Sequence, residues 1–128
     1  MEMTDSETST EVSLDALDFT NLLIDVMLDK KASDILLLDV QDQVIFADYF
    51  LMCSADSSRQ IKALVDGIAK EAKQEAREIP MSIEGKPDDS WMMLDYGYVV
   101  VHIFAPESRE FYNLEELWQD ARVVLRLQ

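Results

Sequence analysis

Covalent chemistry in this chain would have to start from one histidine, His102, and one cysteine, Cys53. A thiol or serine nucleophile needs an imidazole within hydrogen-bond reach and a third group that orients the ring. His102 stands in the stretch WMMLDYGYVVVHIF, a few positions after Asp95, so a His–Asp pair is the arrangement to weigh. Cys53 falls in the apolar run DYFLMCS, where a buried thiol behaves as a small hydrophobe. His102 also lies in a strand pattern, on the face of Tyr98, Val100 and Phe104, where a half-buried, hydrogen-bonded ring is the ordinary outcome. Metal chemistry has carboxylates to draw on in Asp39, Asp95 and the pair Asp88-Asp89, since hard cations take oxygen ligands. Asp39 ends a strand pattern, Asp95 borders a hairpin and Asp88-Asp89 sit in a Pro-containing turn, which are the usual places for solvated turn aspartates. One Cys and one His cannot form a zinc cluster. With only Gly67, Gly85 and Gly97, no glycine-rich phosphate loop follows any strand. The residue types argue for binding over catalysis, with no metal and no cofactor expected.

The charge narrows the partners. Acidic side chains number 26 against 11 basic ones, for a formal net charge of −15. Such a surface repels a phosphate backbone, so direct nucleic-acid recognition is not expected and a basic protein partner is favoured; solubility alone is the competing explanation. A lone cysteine fits a reducing compartment. The stretch MEMTDSETSTEVS lacks the apolar core of a signal peptide, the first basic side chain is Lys30, and no apolar run reaches membrane-spanning length. A cytoplasmic protein without membrane contact is the expectation.

The elements that must position these residues can be read in order. Residues 1–12 are small, polar and acidic and read as a disordered tail; residues 13–128 read as one domain. Ser13 or Asp15 caps a first helix, in which Ala16, Phe19, Leu23, Val26 and Met27 recur at helical spacing. SDILLLDV and DYFLMCS are short apolar runs of the kind that form strands covered on both faces, joined by QDQVIFA as a loop or irregular approach. Ser57 to Gln60 spell a capping box, and Ile61, Leu64, Val65, Ile68, Ala72 and Ala76 then mark one stripe of a long helix ending before Pro80. MSIEG suits an edge strand and GKPDDS a turn. WMMLD and YVVVHIF make a hairpin through Tyr96-Gly97, where Gly97 supplies a positive φ. Pro106 opens a last helical region with a capping box at Asn113 to Glu116 and Leu117, Trp118 and Ala121 on one face. RVVLRLQ is amphipathic and its state is left open. The expected order α-β-β-α-β-β-β-α gives an α/β fold, a mixed sheet of about five strands covered by helices, with a helix connecting parallel strands.

EGKPDDSWMMLDYGYVVVHIF followed by REFYNLEELWQDA resembles the ribosomal silencing factor family, also called the RsfS or Iojap family. The family pattern is an EG, a Trp after a polar turn, a strand ending in D-x-G, a V-V-x-H strand, an R-x-x-Y and an L-E-x-L-W helix. Here these are Glu84-Gly85, Trp91, Asp95, Gly97, Val99 to His102, Arg109, Tyr112, Leu114-Glu115 and Leu117-Trp118. ASDILLLDV and ADYFLMCSADSSRQIKAL extend the likeness over residues 14–122. The resemblance implies a relative of the nucleotidyltransferase fold, whose active members use a Gly-Ser turn and paired carboxylates. This chain departs there: Ser54-Ala55-Asp56-Ser57 replaces the family's T-G-x-S and loses the glycine. A nucleotide-binding or nucleotidyltransferase-related enzyme is the alternative reading.

The resemblance further implies a translational repressor, not an enzyme. It would bind ribosomal protein fourteen of the large subunit and sterically block subunit joining when nutrients are short. Interface anchors favour Trp, Tyr and Arg. The expected recognition patch is therefore Trp91, Tyr96, His102, Arg109, Tyr112 and Glu115, against the alternative that Trp91 is simply core. Trp118 and Leu117 suit either the core or the interface. Free of its partner, the same apolar patch offers a homodimer contact.

Overall fold

The computed structural model describes residues 15–107 and 120–128. The acidic tail expected over residues 1–12 and the capping box at Asn113, with Leu117 and Trp118, lie outside the described residues.

The first helix, α1, spans Ala16–Asp29. Asp15 caps it, accepting the Asp18 amide at 3.0 Å. Strands β1 (Ser33–Asp39) and β2 (Tyr49–Ser54) follow, then α2 (Ser58–Ala76), β3 (Ser82–Lys86), a single 3₁₀ turn at Pro87–Asp89, β4 (Trp91–Asp95), β5 (Val99–Phe104) and β6 (Arg122–Leu127). The strands form one six-stranded mixed sheet in the order β3-β4-β5-β2-β1-β6. β2 and β5 pair in parallel and the other neighbouring pairs are antiparallel. The α/β class and the mixed sheet are as expected. β2, α2 and β3 form a crossover between strands running the same way, but β4 and β5 are inserted between them, so the parallel partner of β2 is β5.

The sixth strand is the main addition. RVVLRLQ alternates imperfectly because Arg122 and Arg126 interrupt its apolar residues, and it becomes a strand by pairing with β1. Arg122 also binds Asp39 across that pair at 2.8 Å. The guanidinium and the Gln41 amide hold the Asp39 carboxyl below the usual range.

Helices α1 and α2 cover one face of the sheet. Phe19, Leu23 and Met27 of α1 and Ile61, Leu64 and Ile68 of α2 pack on Ile35, Leu37, Leu51, Cys53, Leu94, Val99, Val101 and Ile103. The stripe read for α2 is buried in full. Ser57 caps α2 by accepting the Gln60 amide, as its box requires. The return bond differs from the expected box: Gln60 Oε1 accepts the amide of Asp56, while its Nε2 donates to the carbonyls of Lys30 and Lys31. One side chain thereby joins the start of α2 to the end of α1.

Candidate functional site

Strand alternation sends neighbouring side chains to opposite faces, and the pairing registers line those faces up into rows. On the face away from the helices, Trp91 stands beside Phe104, Met93 beside His102 and Asp95 beside Val100. The parallel β2–β5 pair continues the rows, with Met52 beside His102 and Phe50 beside Val100. Leu36 and Leu38 extend them onto β1. A second apolar cluster forms here from Leu36, Leu38, Val40, Ala47, Phe50, Met52, Val100 and Ala121, with Met93 and Val44 against it.

His102 is the hub of the aromatic part. Its ring lies 5.8 Å from Phe50 edge-on, 5.8 Å from Phe104 in a stack and 6.4 Å from Trp91. The Trp91 indole N–H donates to His102 Nδ1 at 3.3 Å. Nδ1 is therefore an acceptor, the ring is neutral, and its proton sits on Nε2. Burial pushes the His102 pKa down to about 4, against the opposing pull of the Asp95 carboxylate. A base with so low a pKa is weak at neutral pH, and its Nδ1 lone pair is already committed to an indole.

The same registers separate the groups that nucleophilic chemistry needs. Cys53 pairs with Ile103 and belongs to the helix-side core, so the thiol and the imidazole lie on opposite faces of the sheet. Asp39 and Asp95 are separated by β5 and β2, roughly 14 Å of sheet at the usual strand spacing. Each has structural work. Asp39 holds Arg122, and Asp95 Oδ1 accepts the Gly97 amide at 2.7 Å, closing the hairpin where Gly97 has φ 88°. Among the described residues, no group of three or more His, Cys, Asp or Glu side chains is placed to hold a metal ion.

Of the six residues expected in the patch, Trp91 and His102 meet on the open face. Arg109, Tyr112 and Glu115 lie outside the described residues. Tyr96 does not join the patch. The alternation of β4, continued one residue past Asp95, sends its ring to the helix side with Met92 and Leu94, edge-on to Phe19 at 5.1 Å. Its hydroxyl is buried and has no hydrogen-bond partner among the described residues. Burial and the nearby Glu78 carboxylate push its pKa up to about 12. Tyr98, expected on the face of His102, also turns inward, with its ring 5.8 Å from Phe19 and its hydroxyl donating to Glu78. Phe50, Met52 and Met93 on the open face were not singled out from sequence. DYFLMCS is buried along its whole length, so only the register with β5 assigns its two faces.

Comparison with known proteins shows which family the chain belongs to. The family model described as "Ribosomal silencing factor during starvation" matches residues 13–128. A ribosomal silencing factor of Bacillus subtilis is 44% identical over 96 residues, 73% of this chain and 78% of that protein. One from Halalkalibacterium halodurans is 36% identical over 107 residues, 84% of this chain and 91% of that protein. A Chromobacterium violaceum crystal structure superposes with a TM-score of 0.78 at 31% identity, covering 83% of this chain and 88% of that one. The chain belongs to the ribosomal silencing factor family. Among the described residues, Gly85, Trp91, Asp95, Gly97 and His102 form one connected unit. Gly85 has φ 89°, and a Cβ there would fall 2.4 Å from the Trp91 carbonyl oxygen and 2.9 Å from its indole, so only glycine lets β3 close against Trp91. Asp95 and Gly97 shape the hairpin that returns β5, and β5 brings His102 under the indole. The serine turn and paired carboxylates of a nucleotidyl transfer do not converge among the described residues, and Ser57 is committed to capping α2.

Proposed function

We propose that this ribosomal silencing factor represses translation by binding the large ribosomal subunit through ribosomal protein fourteen and sterically blocking subunit joining, mainly under nutrient limitation. The observation that carries the reading is the unit made by half-buried Trp91 and His102 on the sheet face away from α1 and α2. It presents an aromatic anchor on a rigid sheet, held by Gly85 on one side and by the His102 ring on the other. Recognition hot spots are built this way, from large side chains whose rotamers are fixed before the partner arrives. The −15 charge suits a basic ribosomal protein and disfavours bare RNA. Repression is by occlusion, so no residue turns over a substrate, and it takes place in the cytoplasm. Away from the ribosome the patch around Trp91 offers a contact to a second copy. Sedimentation velocity at two concentrations tests that homodimer.

The test of function is subunit association followed by light scattering. Preincubating large subunits with the protein should suppress joining in proportion to occupancy, and excess free ribosomal protein fourteen should restore it. Joining at the normal rate and extent with the protein fully bound would end the occlusion reading.

A further inference from the structure

The loop between β1 and β2 carries two large apolar side chains in water. Ile45 is fully exposed (relative accessibility 104%) and Phe46 is 64% exposed, while their neighbours Val40 and Ala47 are buried. The loop is firmly held. Val40 and Asp48 close its base at 2.9 Å, the Gln43 and Val44 amides both bond the Val40 carbonyl, Gln41 bonds Asp39, and the Asp48 amide reaches the Tyr98 carbonyl just before β5. Val44 packs inward onto the open-face cluster. A loop that tucks three aliphatic residues in and holds two others out displays them in a fixed position, which lowers the entropy lost on binding.

These two residues continue the candidate site. The Phe46 ring lies 6.3 Å from Phe50, whose ring is 5.8 Å from His102, which in turn holds Trp91. From Trp91 to the loop, strand spacing and rise put the two ends on the order of 20 Å apart. A standard interface of roughly 800 Å² per partner is about 30 Å across, so one partner can cover both.

We propose that Ile45 and Phe46 form a second anchor, inserting into an apolar recess on a basic protein of the large subunit and not onto ribosomal RNA. This rests on the ribosome-binding reading above. The choice of protein over RNA comes from the surroundings. Asp39, Asp42 and Asp48 flank the loop, and Arg122 beside it is already engaged by Asp39. Carboxylates repel phosphates. Phe46 alone would suit stacking on an unpaired base, but Ile45 has no π face to stack, so the pair matches an apolar recess better.

The experiment uses the full chain and purified large subunits. The double variant Ile45→Ser/Phe46→Ser should bind at least tenfold more weakly with an unchanged melting temperature, because neither side chain is buried in the free protein. Benzoylphenylalanine in place of Phe46 should photo-crosslink to a ribosomal protein. Wild-type-like binding by the double variant, while Trp91→Ala is weakened, would overturn the second anchor and leave the ribosome-binding reading intact. Crosslinking to ribosomal RNA would overturn the choice of partner. Failure of the wild type to bind large subunits would overturn both.

Discussion

Along β5, Val99, Val101 and Ile103 point into the layer made by α1 and α2, while Val100, His102 and Phe104 point the other way. The first set meets aliphatic side chains from two helices and is sealed from water. The second meets Trp91, Phe50, Met52 and Met93, with a histidine kept neutral in their midst. One strand thus serves two purposes. The helix side stabilises through close packing, where volume and shape decide. The other side sets the half-buried Trp91, Met93 and His102 against buried Phe50, Met52 and Phe104, so larger and more polarisable groups with a polar histidine and indole reach its edge.

The widest separation between the faces should be seen in stability. Phe19→Ala removes the ring that Tyr96 and Tyr98 pack on and should cost about 4 kcal/mol in urea unfolding, whereas Met93→Ala on the open face should cost about 1 kcal/mol. Equal losses would erase the distinction.

Next in size is the effect of acid. The folded pKa of His102 lies near 4, below its unfolded value of 6.5, so the unfolded chain binds the proton more readily. The stability held by neutral His102 is therefore complete above pH 6.5 and is lost as pH falls toward 4, on the order of 3 kcal/mol in all. The His102→Gln variant should lack this component of the pH profile while keeping its fold at pH 7. Parallel profiles for the two proteins would show that His102 does not carry the titration.

Gly85→Ala should act on the open face without removing any recognition residue. The new methyl displaces Trp91, so its fluorescence should shift and large-subunit affinity should fall about tenfold, or about 1.4 kcal/mol. Unchanged fluorescence and affinity would mean that the indole's position is not set by Gly85.

Much of this architecture is legible in the sequence for identifiable reasons. The hairpin was readable because Gly97 supplies a conformation few residues tolerate, and α2 because its stripe and Ser57 cap agree with each other. The site was half legible. Trp91 and His102 could be placed together because strand alternation is reliable inside a strand. Tyr98 could not, because alternation fails at the turn before β5, whereas β4's alternation counted from Trp91 already sets Tyr96 on the opposite face. β6 was hidden because its strand character comes from β1 and from the Arg122–Asp39 pair, both distant in sequence. Phe50 needed the β2–β5 register, which no local pattern carries.

The smallest expected effect concerns charge. Raising salt from about 50 to about 300 mM shrinks the Debye length from about 14 to about 6 Å and should slow association with large subunits severalfold, with much less change in dissociation. A salt-independent on-rate would leave the −15 charge to solubility alone.

The central claim is that the sheet face away from α1 and α2 does the recognising, and one change on each side of the sheet tests it most directly. Equilibrium binding to purified large subunits should be measured for Trp91→Ala, on the open face, and for Leu28→Ala, half exposed on the outside of α1. Trp91→Ala should weaken binding by about 2 kcal/mol, roughly thirtyfold, with the fold intact, while Leu28→Ala binds as the wild type does. Weakened binding by Leu28→Ala together with normal binding by Trp91→Ala would place recognition on the helices and contradict the account.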